Sequence, residues 1–408
     1  MGTDHHSSFR KSKRTTTSVL TFLLSLLIAV GCKSVIERQD VRPRVLRDVP
    51  ARNLAYRLSP DVSPPNSNPD DTNDKFAAVA NQFAAKREND ALLRTVVSPD
   101  GRRVLALYGT AEQENFEFRI DLYNSDGEFL RNLIPPDLSC VFPETVTWSP
   151  DGNFINFIAH KRAVPSPSPT PPIDVEPEPG ASPVASPSVA PLFPPVASFT
   201  TEQIYICNRD GYDLKPLTAR EGLIYFYFVW APDGHAMAAL ACKEDEWNAR
   251  EREFKLPAGR PRLIALDGTE RLLDDGLTEA LPVWCPDGSK VATAFDTDVA
   301  IYDAGGKTPT QGRLLLGEQL IAASVIYDQR TSTKKATTNA QASPSPAPAA
   351  SPTQSVPASF NPIVRLDWRA PETLYFQTAY VRLRPNETIN TFQRWHVLNL
   401  SAQAAILK

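Results

Sequence analysis

The sequence predicts an all-β chain built from one four-stranded unit used several times over. Three observations carry that prediction. A short turn phrase occurs four times, it recurs at a period near 50 residues, and apolar, strand-like sequence flanks each copy. The copies are Val97-Ser98-Pro99-Asp100-Gly101, Trp148-Ser149-Pro150-Asp151-Gly152, Trp230-Ala231-Pro232-Asp233-Gly234 and Trp284-Cys285-Pro286-Asp287-Gly288. Gly101 and Gly152 are 51 residues apart, and Gly234 and Gly288 are 54 apart. The middle gap of 82 falls to 48 once the proline-rich stretch 164–197 is removed. A unit of this period, pairing strands around a fixed turn, is the blade of a β-propeller.

Each turn residue has a mechanical reason. Pro99, Pro150, Pro232 and Pro286 preset the φ that the first central position of a turn requires. Asp100, Asp151, Asp233 and Asp287 suit the next position and can accept from nearby backbone N–H groups. Gly101, Gly152, Gly234 and Gly288 supply a positive φ that closes a tight hairpin. The tryptophans fall at one equivalent position in three copies, where a large ring can wedge between neighbouring blades.

A second turn signal follows in each unit: Asn124-Ser125-Asp126-Gly127, Asn208-Arg209-Asp210-Gly211, Asp267-Gly268 and Asp303-Ala304-Gly305-Gly306. Two hairpins per unit give about four strands. A fifth unit is degenerate. Val364 to Trp368 leads into Arg369-Ala370-Pro371-Glu372, which lacks the glycine, and good strands follow at Leu374–Val381 and Gln393–Leu400. The interval from Trp284 to Trp368 far exceeds one period, and it still does once 341–358 is removed. A sixth, eroded unit fits in that gap or is completed by the N-terminal segment.

The repeated Trp-Ser-Pro-Asp-Gly-like phrase, spread over about Leu93 to Leu400, resembles the propeller of the TolB family. The resemblance implies one propeller over residues 91–408 with six blades, five of them recognisable. Two departures accompany it. TolB carries a sizeable N-terminal α/β domain, whereas only the short segment from Cys32 to Leu92 precedes the repeats here. TolB is also a soluble periplasmic protein, so its role in Tol–Pal envelope maintenance does not transfer directly.

The N-terminus reads as an address. Arg10, Lys11, Lys13 and Arg14 form a basic region, and Val19–Val30 is an apolar run too short to span a bilayer. It ends Ala29-Val30-Gly31-Cys32, which resembles a bacterial lipobox. The resemblance implies a signal peptide over 1–31, cleavage before Cys32, and lipid attachment at Cys32. Lys33, in place of aspartate, favours sorting to the periplasmic face of the outer membrane. Met1-Gly2 starts no myristoylation motif, because position 6 is His6.

Composition narrows the partners. Without residues 1–31 the chain has 39 basic and 46 acidic residues, a net charge of −7. That balance argues against nucleic acid. Four cysteines then remain, Cys140, Cys207, Cys242 and Cys285. Three disulfide connectivities are open to them. Their strand and turn positions favour buried free thiols.

Two proline-rich inserts, 164–197 with twelve prolines and 341–358 with five, read as extended, solvated chain. Residues 32–71 read as a disordered tether, with Ser59–Asp71 its clearest part. Within 72–90, Phe76, Val79, Ala80, Phe83 and Ala84 share one helical face, so a helix packed on the propeller is expected there, capped by Thr72 or Asn73. The charged run Lys243–Lys255 reads as a solvated hairpin or short helix.

No catalytic constellation emerges. An oligopeptidase would need a nucleophile elbow, and no Gly-x-Ser-x-Gly occurs. The histidines after Cys32 are His160, His235 and His396. The first two are expected at opposite ends of equivalent strands, about 20 Å apart. The turn explains the four aspartates without a carboxylate site. The expectation is therefore a non-enzymatic, lipid-anchored envelope scaffold that binds an envelope protein and uses no cofactor and no metal. The alternative is an enzyme or carbohydrate-binding propeller using the central channel. Convergent acids and histidines along that channel would favour the alternative; a mixed polar and aromatic lining would favour the scaffold.

Overall fold

The computed structural model describes residues 45–66, 75–110, 117–162, 196–339, 361–382 and 390–402. The expected signal peptide, Cys32, the caps Thr72 and Asn73, and nearly all of both proline-rich inserts lie outside the described residues. Among the described residues, 21 strands form five antiparallel sheets with few helices, a propeller-like architecture.

Strand β1 (Leu54–Val62) comes first and belongs to the closing sheet. Helix α1 (Ala77–Lys86) follows. Sheet I holds β2 (Asp90–Val97), β3 (Arg103–Thr110), β4 (Arg119–Asn124) and β5 (Phe129–Asn132) in sequence order. In sheet II the first strand is split. β6 (Leu138–Ser139) pairs with one end of β8 (Phe154–Lys161), and β7 (Thr147–Trp148) pairs with the other. β9 (Gln203–Asn208) and β10 (Lys215–Pro216) complete that sheet.

Sheet III holds β11 (Leu223–Trp230), β12 (Ala236–Lys243), then helix α2 (Glu244–Arg252), β13 (Arg260–Ala265) and β14 (Glu270–Leu272). Sheet IV holds β15 (Val283–Trp284), β16 (Lys290–Phe295), β17 (Asp298–Asp303) and β18 (Gln311–Leu315). Helix α3 (Gly317–Asn339) leads away from it. Sheet V joins β19 (Ile363–Ala370), β20 (Thr373–Arg382) and β21 (Asn390–Ala402) to β1, in the order β1-β21-β20-β19.

The apolar cores lie between consecutive sheets. One cluster joins Leu105 and Ile120 of sheet I to Phe157 and Tyr205 of sheet II. Others join Ile158 to Met237, Leu263 to Tyr302, and Val299 to Leu398, and so link sheets II–III, III–IV and IV–V. All of these side chains are buried, and full burial of an aliphatic or aromatic side chain contributes about 1.5–3 kcal/mol. Strands with both faces covered read as the continuous apolar runs seen in the sequence.

Two expectations change. The tether expected over 32–71 holds a strand: the chain is ordered into 3-10 turns at Leu46–Asp48 and Ala51–Asn53, then β1. β1 supplies the fourth strand of the degenerate fifth unit, pairing Leu54 with Ala402 through Val62 with Trp395. Among the described residues, the interval between the fourth and fifth units holds α3. Helix α1 is shorter than 72–90 and buries Val79 and Phe83 on sheet I. Its start has no side-chain cap; the Phe76 N–H donates to Thr95 Oγ1 instead, at 2.8 Å. The charged run forms α2, which buries no residue of its own, while Trp247 packs against Phe142 and Phe226.

Candidate functional site

The four turn phrases share one geometry. In each, the glycine N–H donates to the carbonyl three residues back, at 2.8–2.9 Å, and the glycine φ is +69° to +72°. The aspartate Oδ1 accepts the backbone N–H two residues on: Arg102 to Asp100, Asn153 to Asp151, His235 to Asp233 and Ser289 to Asp287, at 2.9–3.1 Å. Ser98 and Ser149 also donate to Asp100 and Asp151 at 2.7 and 2.5 Å. The Ser98 bond, with the Arg102 N–H, holds the Asp100 carboxyl down at about 2. Burial works against the same effect at Asp151, yet the bonds from Ser149 and Asn153 leave it below the usual carboxylate range.

The turns also stack on one another in chain order. A methyl placed on Gly152 would meet the Pro99 ring, one on Gly234 the Pro150 ring, and one on Gly288 the Asp233 carboxylate, all at 3.4–3.7 Å. The aspartates are thus engaged as turn staples. Among the described residues no group of three His, Cys, Asp or Glu is placed to hold a metal ion.

The tryptophans wedge between sheets. Trp148 Nε1 donates to Val96 O of sheet I, and Trp284 Nε1 to Val229 O of sheet III, both at 3.1 Å. The bond recurs at equivalent positions two units apart. Trp230 sits in the same slot, but its buried Nε1 has no acceptor.

The histidines stay apart in role. His160 lies near the end of β8 with Nδ1 3.5 Å from Glu202, and His235 follows the third turn. His396 is buried in sheet V, its Nε2 3.0 Å from Thr378 Oγ1. Burial and the neighbouring Arg394 lower its pKa to about 4. All four described cysteines are free and buried, and burial pushes the Cys207, Cys242 and Cys285 thiols up to about 12. Neutral thiols of this kind are not nucleophiles.

A cavity of about 660 Å³ opens where the first strands of sheets III, IV and V converge. Three of the wedge positions, Trp230, Trp284 and Trp368, line it, together with Trp395 from β21 and Tyr227 from β11. Arg365 and Arg369 stand exposed at its edge, and Pro64 and Pro65 form another wall. Its one carboxylate, Asp367, is paired with Arg369 at 2.7 Å. No histidine lines it.

A repeated β-bulge positions two of these groups. β2, β11 and β19 each shift register, near Leu92/Arg94, Tyr225/Tyr227 and Ile363/Arg365. Such an extra residue re-aims the side chain beside it. Arg94, Tyr227 and Arg365 share one position in the repeat, three before Val97, Trp230 and Trp368. That spacing was readable in the sequence; the convergence of Tyr227 and Arg365 with Trp395 was not, because it depends on how β21 pairs.

No known family and no curated protein matches the chain. Solved structures do resemble it. An oligogalacturonate lyase in complex with manganese aligns with a TM-score of 0.31 and 12% identity, over 53% of this chain and 51% of that one. Hydrazine synthase of Kuenenia stuttgartiensis gives 0.30 and 16%, over 52% of each chain. Prolyl oligopeptidase B of Galerina marginata gives 0.39 and 10%, over 84% of this chain and 40% of that one. The aligned part spans about half the length of the first two. Likeness at this level says nothing of activity. Among the described residues no helix is long and apolar enough to cross a membrane.

Proposed function

We propose that this chain is a lipid-anchored envelope protein whose five sheets are the blades of one TolB-like propeller, and that the propeller binds a protein partner. One observation carries the reading. The cavity at the converging first strands is aromatic and mixed polar, without histidine and with its single carboxylate already paired. General acid–base chemistry needs titratable groups positioned at the reacting atoms, and this lining offers neither a histidine nor an unpaired carboxylate. Aromatic and arginine side chains are the groups that dominate protein-binding hot spots.

The anchor is the second half of the reading. Cys32, after a basic region and a short apolar run, takes the lipid, and Lys33 directs the protein to the periplasmic face of the outer membrane. The chain from Cys32 to Val45 has a contour of at most about 45 Å. The alternative, a channel enzyme or carbohydrate-binding propeller, draws on the flat indole faces, which also stack on sugars.

Two experiments test the proposal. Cys32→Ser should abolish metabolic palmitate labelling and release the protein from membranes; unchanged labelling refutes the anchor. The purified protein should show no turnover of peptidase, glycosidase, lyase or cyclase substrates, with or without divalent metals. Turnover lost on substituting His160, His235 or His396 would move the enzyme reading ahead.

A further inference from the structure

We propose that the outer edge of β1, in sheet V, is a docking site for an extended, acidic segment of a partner protein, which adds to the sheet as a fifth strand. This rests on the protein-binding reading above and names the mode of binding and the charge of the partner. The first argument is length. The outermost strands of sheets I to IV are β5, β10, β14 and β18, of four, two, three and five residues. β1 has nine. Short outer strands keep a sheet edge from pairing with other chains, and a long one is a template for strand addition.

The second argument is where the backbone of β1 points. In an antiparallel sheet each residue turns its N–H and C=O to one side, and the next residue turns them to the other. The Leu400 N–H donates to Glu372 O, away from β1, at 2.8 Å. Its neighbours Asn399 and Ser401 therefore turn theirs to β1, where their partners are Arg57 and Ala55. Tyr56 and Leu58 alternate with these two and direct their N–H and C=O groups outward. Among the described residues β1 pairs with β21 alone, and no backbone acceptor meets the Tyr56 and Leu58 N–H groups. The backbone of another strand matches this alternation of donors and acceptors. The open edge stops at Pro60, which has no N–H, and at Asp61, whose φ is +56°.

The third argument is charge. Leu54, Tyr56 and Leu58 face the core, so Arg57 stands on the other face of the sheet, exposed. Antiparallel pairing with β1 of a second copy would set the two Arg57 side chains opposite or diagonal to each other in every register that overlaps most of residues 54–59. Like charges so placed are destabilising, whereas a carboxylate opposite Arg57 is favourable.

The test uses the full-length protein in detergent and the fluorescein-labelled heptapeptide Val-Thr-Val-Glu-Val-Thr-Val, read by fluorescence anisotropy. The expected result is saturable binding. With the valines on the core side and the glutamate beside Arg57, the valine N–H groups face β1. N-methylation of the two inner valines should abolish binding, and N-methylation of the two threonines should leave it. Arg57→Glu should weaken binding about fivefold or more, and lysine in place of the peptide glutamate should restore it.

Equal effects of the two methylations, or binding indifferent to Arg57→Glu, overturn the proposal. So does a dimer in sedimentation that the peptide dissociates, since the occupant of the edge is then a second copy. Absence of binding also overturns it. If the peptides fail while the propeller still crosslinks to an envelope protein, strand addition falls and the protein-binding reading stands.

Discussion

Sheets IV and V share one apolar core, yet they are built in opposite ways. Sheet IV takes its four strands from one continuous stretch, Val283 to Leu315. Its first hairpin closes on Cys285-Pro286-Asp287-Gly288. Sheet V takes three strands from the C-terminal part and its fourth from β1, pairing Leu54 with Ala402 across nearly the whole described chain. Its first hairpin has no glycine, and Trp368 Nε1 donates to Pro371 O within that hairpin at 3.3 Å. Polar groups at the far end of β1 fasten that strand to β21. Arg394 holds Asp61 at 2.6 Å, Asp61 adopts a φ of +56°, and the Asp61 N–H donates to His396 Nδ1 at 3.4 Å.

The difference teaches where specificity must come from. A short-range hairpin has its register set by its turn, whereas a strand recruited from the opposite end of the chain does not. A slip by a single position would turn Leu54, Tyr56 and Leu58 away from the core they contact. The bulge between Ser59 and Val62, with the Arg394–Asp61 pair at it, is the register pin.

The most severe way to break the contrast is to delete residues 46–62. β21 then loses its outer partner, and cooperative unfolding should disappear, as read by circular dichroism during thermal denaturation. A retained sharp transition would show that sheets I–IV stand without closure.

Acid should act next, through a group found in sheet V and absent from sheet IV. The folded-state pKa of His396 lies near 4, below its ordinary value of 6.5. The neutral ring's contribution is fully present above pH 6.5 and is lost as pH falls toward 4, by up to about 3 kcal/mol. Comparing urea unfolding of the native chain with His396→Gln isolates the effect from titrating carboxylates. Parallel stability profiles would remove His396 from the account.

Within the locally built sheets the effects are smaller. Gly288→Ala forces φ +71° on a residue with a side chain and sets the new methyl 3.5 Å from Asp233. It should cost about 1–2 kcal/mol in urea unfolding. Glu372 and Thr373, in the glycine-free turn of sheet V, offer no such position.

The mildest pair sharpens the role of the wedges. Trp284→Phe removes the donor to Val229 O and should cost about 1 kcal/mol beyond the lost area. Trp230→Phe removes an indole N–H that has no acceptor and should cost clearly less. Equal losses in thermal denaturation would mean the inter-sheet bond contributes nothing.

What the sequence disclosed follows the same division. The four turns, the second-turn glycines, the apolar strands around them and the Val79–Phe83 face of α1 are local patterns, and local patterns are legible. β1 was not. Its Ser59-Pro60-Asp61 reads as loop chemistry, and a proline is tolerated there because β1 is an outer strand. Nor was α3, whose threonines and polar residues carry no clear helical stripe. The cavity was not read: Tyr227 and Arg365 sit three positions before the turn tryptophans, a spacing the repeat contains, but Pro64, Pro65 and Trp395 join them only through the long-range pairing.

The closing strand also sets a clock on biosynthesis. β1 is among the first parts of the fold to be made, and it pairs with the last strand, so it waits while everything from Val62 to Asn390 is synthesised. At about 5–20 residues per second that wait is on the order of 15–65 seconds. Throughout it, the nascent chain carries an unpaired, partly apolar strand near its leading end. A chain built this way gains from staying unfolded until it is complete, and contacts of such high sequence separation make the final closure its slow folding step.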